Sequence, residues 1–441
     1  MAAKTDTSEA YVHRFAEAKA TLAGHGLPWL AGLRERAIER FAALGFPTRR
    51  IEEWKFTDLR ALTRTTFSPA PRLANGVTGD AVGRFLPADL PSHLLVFVNG
   101  HHRADLSDVG ELPAGVRLCG LAEALAEAPE LLEEQLCRDG ALDGHAPLAL
   151  NTAFMTDGAV LMLARGVALE RPVHLLFLAT GDEAPAVAHP RNIIVAEAAS
   201  RATVIETYAA PAAGAYWTNA VTDIVMEADA SVRHVKVQAE SHDAFHLAVT
   251  RVRLAKGSAY NSFVASVGGR LARNEITAVL GEGVECRLGG VYLARGRQHL
   301  DTTTLIDHAR PASFSNEHYR GVLDDSAHGV FQDKIIIRPD AQKTDAHQLN
   351  KNLLLSRTAH VDTKPELEIH ADDVKCSHGA ATGALDAEAL FYLRSRGLDT
   401  DLAQRLLIEA FVGEIIDEVE TTALRAHLRR VAAAWLTQVN K

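Results

Sequence analysis

The stretch LAKGSAYNSFVAS from Leu254, followed by LGEGVECRLGGVYL from Leu280, decides the fold. In each copy an apolar strand runs into a corner of small residues, and a second strand follows. The same pattern stands upstream at LARGVALERPVHLLF from Leu163, VAEAASRATVIE from Val195 and VMEADASVRHVKV from Val225. Downstream it returns at IDHARPASFSNEHYRGVL from Ile306, IRPDAQKTDAHQLNKNLLL from Ile337 and IHADDVKCSHGAATGAL from Ile369. Successive anchors are 32, 30, 29, 26, 26, 31 and 32 residues apart. A near-constant period of this size marks a solenoid, in which no unit can bury its apolar face alone. Strands rather than helices fill the units, so the chain is expected to be mainly β, with a right-handed parallel β-helix as its core. With strands about 4.8 Å apart, seven steps make a stack roughly 34 Å long.

Outside the repeat the period changes. Residues 1–150 read as an N-terminal helix-rich domain with a short hairpin, 151–385 as the β-helix and 386–441 as a C-terminal helical domain. PWLAGLRERAIERFAALG has Trp29, Leu33, Ile38 and Phe41 near helical spacing, with Gly45 as a stop. Asn99-Gly100 between two short apolar runs is a hairpin signal. The Pro/Ala/Gly-rich run 68–83 reads as a connector, and Leu121–Cys137 as a helix. In the tail, Asp386 and then either Asp399 or Thr400 are placed to cap helices, and Leu402, Leu406, Leu407, Phe411, Ile415 and Ile416 spread wider than one apolar stripe. Such a face either packs on its flanking helices or docks another protein. The ends of a solenoid expose unpaired strand edges, and the flanking helices are expected to cover them.

Composition excludes several classes of function. The net charge is −10 with both signs mixed along the chain, so no basic stripe points to nucleic acid. The N-terminus lacks the apolar core of a signal peptide, and the longest apolar run, His174–Ala179, is too short to cross a bilayer. A cytoplasmic chain with no membrane partner is expected. Four cysteines, Cys119, Cys137, Cys286 and Cys376, form no C-x-x-C pair, and the first three read as small buried hydrophobes. No phosphate-binding G-x-x-x-x-G-K-[ST] loop is present, so any ATP-driven work falls to a partner.

The most suggestive chemistry is in HADDVKCSHGAATG. On a strand, Cys376 and His378 face the same side, and a thiolate with an imidazole suits a soft metal centre. Two ligands cannot hold an iron–sulfur cluster, so others must come from another chain or from water. His318, His347 and His378 fall near equivalent offsets in successive copies and could stack in a column. Asp362 and Glu366 could be taken for a glycosidase pair, but such pairs work only at defined separations that a sequence does not fix; a carbohydrate-active β-helix enzyme is the alternative reading.

Several long stretches carry a resemblance. FPTRRIEEWKFTDLRAL from Phe46 and NEHYRGVLDDSAHGVFQDKIIIRPDAQKTDAHQLNKNLLLS from Asn316 are two of them. AHVDTKPELEIHADDVKCSHGAATGALDAEALFYLRSRGL from Ala359 and LAQRLLIEAFVGEIID from Leu402 are the others. Together they resemble the SufB/SufD family of iron–sulfur cluster assembly proteins, closer to its SufD branch. Gly379 stands where SufB-like sequences tend to carry glutamate, and the cysteine-rich N-terminal motif of many SufB chains is absent. The resemblance implies a non-catalytic scaffold that pairs through its β-helix with a SufB-like homologue. It also implies that the C-terminal helices bind a SufC-like ATPase, with Leu402 to Ile416 as the docking helix. Cys376 and His378 would then face a transient iron or nascent iron–sulfur cluster at the subunit interface, with no tightly bound cofactor in the isolated chain. A purely structural partner of SufB without a metal role is the second alternative. Self-pairing into a homodimer when alone is left open.

Overall fold

The computed structural model describes residues 2–72, 77–138, 146–181 and 185–437. Seven helices belong to the N-terminal region: α1 Ala2–Ala18, α2 Pro28–Leu44, α3 Arg60–Arg64, α4 Gly79–Gly83, α5 Leu121–Glu127, α6 Glu130–Leu136 and α7 Ala146–Phe154. Four short strands are interspersed with them: β1 Ser68–Pro69, β2 His93–Val98, β3 His101–His102 and β4 Val116–Gly120. The repeat supplies β5 Ala159–Leu163, β6 Val173–Leu178, β7 Ala186–Ala188, β8 Arg191–Ala196, β9 Arg201–Ala209 and β10 Tyr216–Met226. It continues with β11 Ser231–Ala239, β12 Phe245–Leu254, β13 Ala259–Ser266, β14 Leu271–Leu280, β15 Glu285–Ala294 and β16 His299–His308. The last strands are β17 Phe314–Leu323, β18 His328–Ile337, β19 Thr344–Leu354, β20 His360–Ile369 and β21 Val374–Gly383. Three helices close the chain: α8 Ala387–Ser395, α9 Thr400–Ile416 and α10 Thr422–Leu436. Part of the expected connector, 73–76, lies outside the described residues; Ser68–Pro69 beside it pairs with β7. Among the described residues no helix is long and apolar enough to cross a membrane.

Alternate strands of the repeat stack into two parallel sheets, so the core is a flattened β-solenoid of about seven turns. One sheet runs β20-β18-β16-β14-β12-β10-β8-β5-β4, the other β21-β19-β17-β15-β13-β11-β9-β6-β2-β3. The pairing aligns Leu163, Ala196, Met226, Leu254, Leu280, His308, Ile337 and Ile369 in one column. The sequence anchors therefore fall within two residues of the true register. The corner chemistry explains why they were visible: Gly166, Ala199, Asp229, Gly257 and Gly283, each three residues past its anchor column, all adopt positive φ. At Gly257 a Cβ would lie 2.4 Å from Asp229 Oδ1 of the rung before, so a larger residue there would have to displace that side chain as well as adopt a backbone conformation that favours glycine.

Inside, rungs bury each other. Phe97, Phe177 and Tyr208 share one register column and stack with ring centroids 4.7 Å apart at each step. The lumen is not wholly apolar. Burial opposes ionisation of Glu206, yet His234 at 3.2 Å, Lys236 and Thr222 hold it at about 2. Buried charge of this kind persists only where it is paired.

The flanking helices do not seal the ends of the stack as expected. At the first end, strands do the covering: β4 runs antiparallel to β5, and the β2–β3 hairpin extends the other sheet. That hairpin turns at Asn99 and Gly100, both at positive φ, as the sequence signal anticipates. Val82 of α4 packs against β2 and β6 of the second sheet, but α1, α2 and α7 lie on the outer face of the first. There fully buried Trp217 meets Tyr11, Phe46 and Phe67 at centroid distances of 6.3, 6.0 and 5.8 Å. The expected helix Leu121–Cys137 is divided into α5 and α6 at Pro129, and Cys119 lies in strand β4 rather than in a helix. The C-terminal helices lie on the outer face of the second sheet, where Ile408, Val412, Ile415 and Ile416 pack with Phe263, Val291 and Val322. Helices find apolar stripes to cover on sheet faces. A strand edge offers backbone N–H and C=O groups, which a helix, its own groups already paired, cannot satisfy.

Candidate functional site

Strand β21 carries Cys376 and His378 two residues apart. Cys376 stands in register with Ala346, a buried residue of the lumenal core, and its side chain packs against that core. His378 is in register with Gln348, which is itself aligned with Glu317 one rung further in. Both residues thus belong to the lumenal face of the last rung. Cys376 is half-buried and His378 exposed, because among the described residues no strand follows β20 or β21 in either sheet. Val361, Leu367 and Val374, the lumenal neighbours on this rung, are likewise only partly buried. The last rung is an unsealed end of the core with its hydrogen-bonding edges free.

The environment of this pair defines its chemistry. Burial, then the nearby Asp345 carboxylate, pushes the Cys376 thiol up, so it is held as a thiol at neutral pH. Any metal bound at this thiol would have to displace that proton. Beneath His378, Gln348 and the wholly buried Glu317 line the lumen, with both polar atoms of each side chain unpartnered. Burial pushes Glu317 up to about 7, and burial with the Glu317 charge pushes neighbouring Asp333 to about 8.

The expected column of His318, His347 and His378 does not form. His318 aligns with Leu349 and bonds Glu418 through Nδ1 at 2.7 Å, while His347 aligns with Ser377 and bonds its hydroxyl at 2.6 Å. A histidine column does exist on the outer face of the other sheet. His299, His328 and His360 are the first residues of β16, β18 and β20 and stand in register. Sequence reasoning missed it, although each sits nine residues before its anchor column at His308, Ile337 and Ile369. The segment RRIEEWKFTDLR reaches this face: Trp54 stacks under Arg273 at 4.2 Å, and Thr57 Oγ1 lies 2.8 Å from His299 Nε2.

Of the expected docking residues, Ile415 and Ile416 are wholly buried against the solenoid and α10, and so are withdrawn from any docking face. Phe411 is half-covered by the Arg320 guanidinium at 4.8 Å. Leu402 and Leu407 are half-buried and Leu406 is exposed. The wide apolar stripe of α9 thus divides, its C-terminal half built into the fold and its N-terminal half open. Beside the open half, Phe391 and Tyr392 of α8 are 74% and 57% exposed, and no described residue of that helix is buried. Both helices begin as read, with Asp386 accepting from Glu388 N and Ala389 N, and Asp399 from Leu402 N.

The remaining candidates resolve structurally. Glu366 is bound by Lys334 at 3.1 Å and Lys364 at 3.2 Å, and these lysines outweigh burial to keep it below the usual carboxylate range. A group so held is a poor general acid. Cys119 and Cys286 are buried, whereas Cys137, expected to be buried, is exposed at the end of α6.

Comparison with known proteins agrees with this geometry. Residues 177–411 match the family model described as SUF system FeS cluster assembly, SufBD core domain, and residues 5–175 match the SufBD protein N-terminal region. An iron–sulfur cluster assembly SufBD family protein of Synechocystis is 36% identical over 411 residues, covering 91% of this chain and 90% of the relative. The iron–sulfur cluster assembly protein SufD of Escherichia coli is 29% identical over 401 residues, 89% of each chain. SufD of Bacillus subtilis is 28% identical over 416 residues, 91% of this chain and 92% of that one. A two-sheet solenoid carrying the cysteine–histidine pair on its last rung, matched by the two family models over residues 5–175 and 177–411, belongs to the SufBD family of iron–sulfur cluster assembly proteins, among its SufD-type members.

Proposed function

We propose that this chain is a non-catalytic scaffold subunit of a cytoplasmic SufB–SufC–SufD-type complex, and that nascent clusters form where its last rung meets a SufB-like homologue. The observation that carries this reading is the unsealed end of the solenoid. A second solenoid of the same kind can extend both sheets across the free edges of β20 and β21 and cover Val361, Leu367 and Val374. Cys376 and His378 would then lie at the seam and supply two ligands to iron and sulfide, which are substrates here rather than resident cofactors. The remaining ligands come from the partner or from water. Imidazole is a softer hold on iron than thiolate, which suits a cluster built for release. The exposed patch of Phe391, Tyr392 and Leu406, with Leu402 and Leu407, is the surface offered to a SufC-like ATPase, whose movement would be transmitted through α9 and the Arg320 contact to the solenoid.

The test is co-expression of the chain with a SufB-like homologue and a SufC-like ATPase, followed by anaerobic reconstitution. Cys376→Ser/His378→Ala should leave the complex assembled and lower the iron and sulfide it retains. Unchanged cluster yield would favour the structural-partner alternative.

A further inference from the structure

The histidine column on the outer face is a second site, separate from Cys376 and His378 and independent of the reading just given. Its hydrogen bonds can be assigned in order. The Thr57 hydroxyl donates to the Asp301 carboxylate, which also receives Arg273, so Thr57 can only accept from His299 Nε2 at 2.8 Å. His299 is half-buried, and its Nδ1 lies 3.0 Å from His328 Nδ1, so one of the two nitrogens carries the proton between them. The other nitrogen of His328, Nε2, lies 2.8 Å from Asp362 Oδ2.

The side chains around this contact are potential metal ligands. His360 stacks on His328 with ring centroids 3.9 Å apart, and one ligand atom each from His328, His360 and Asp362 lies within 4.8 Å of the others. Two imidazole nitrogens and a carboxylate oxygen are a familiar donor set for a first-row divalent metal that keeps an open position. Thr57 and His299 act as positioning residues, holding the His328 ring in place as outer partners of metal-bound histidines do. The open side faces a cleft of about 490 Å³ whose wall carries Arg49, Arg270 and Arg297. Those guanidiniums disfavour a bare dication but suit one carrying an anion.

We propose that His328, His360 and Asp362 form a mononuclear site for a first-row divalent metal ion, whose free coordination position takes a small carboxylate or phosphate ligand held by the cleft arginines.

The experiment uses the full chain without a histidine tag, titrated with cobalt(II) and followed by its visible d–d bands and by calorimetry, with and without citrate or inorganic phosphate. One tight equivalent is expected in the wild type and in Cys376→Ser/His378→Ala, tightened by at least one of the two anions. His360→Ala and Asp362→Ala, both at solvent-accessible positions, should each weaken it by at least about tenfold while leaving the melting temperature in place. Arg270→Ala/Arg297→Ala should keep metal binding and lose the effect of the anion. Failure of the wild type to bind, or binding lost only in Cys376→Ser/His378→Ala, overturns the site. Binding unmoved by added anions overturns the role of the arginines.

Discussion

Replacing Glu317 with glutamine should flatten the dependence of stability on pH. Glu317 is wholly buried in the lumen two rungs inside His378, and Thr304 and Gln348 sit beside it without an aligned hydrogen bond. Burial raises its carboxyl from an ordinary 4.5 to about 7. An acid raised on folding binds more protons in the native state than in the unfolded chain. Its contribution is therefore complete below the unfolded value and is lost as pH climbs to the folded one. Between about pH 5 and about pH 8 a shift of this size removes roughly 2.5 kcal/mol of stability, at about 1.4 kcal/mol per unit of pH. Glutamine keeps the shape and deletes the charge, and it also relieves Asp333, whose carboxyl Glu317 helps to push up. Urea unfolding followed by tryptophan fluorescence at the two pH values measures the difference. The wild type should lose at least about 2 kcal/mol more than the variant on going to high pH. Parallel profiles would mean that the lumen at this rung is wetter than the burial of Glu317 indicates, and the reasoning would fail.

Other expectations follow from the same contacts. Trp217→Ala, which empties the hub holding α1 and α2 on the solenoid, should cost about 3–5 kcal/mol in thermal or denaturant unfolding. Arg320→Met removes the guanidinium that reaches Phe411 O at 2.6 Å and Glu414 at 2.6 Å, so limited proteolysis should release the C-terminal helices sooner while the solenoid stays intact. Phe391→Asp/Leu406→Asp should abolish capture of a SufC-like ATPase without moving the melting temperature, since both side chains are exposed. Ile416→Asp at the buried half of the same helix should instead destabilise the fold by several kcal/mol, about 3 or more.

Much of the architecture was legible because the repeat is written in its corners. Positive φ at Ala199, Asp229, Gly257 and Gly283 demands small or turn-forming residues at a fixed offset, and strands of matching length follow. The cap Asp386 was equally plain, since a short acceptor side chain before an apolar run has few other uses, whereas the structure had to choose Asp399 over its neighbour Thr400. Sequence could not apportion the apolar residues of α9, because burial against a sheet and exposure to a partner select the same side chains. Ile415 and Leu406 differ only in what faces them. Covering of the solenoid ends was misjudged for a related reason: a helical period says that a segment has an apolar stripe, not which apolar surface receives it. The histidine column escaped because it depends on inter-rung register. His299, His328 and His360 align only once each rung is placed residue by residue, whereas His318 and His347 drift by one or two positions and lose their partners.

The open last rung is best tested by hydrogen–deuterium exchange on the chain alone and in complex with a SufB-like homologue. Amides of 360–369 and 374–383 should exchange quickly in the free chain and become protected in the complex, while the strands of the first rungs stay unchanged. A complex that forms with those two strands still exchanging freely would place the partner elsewhere and contradict the account.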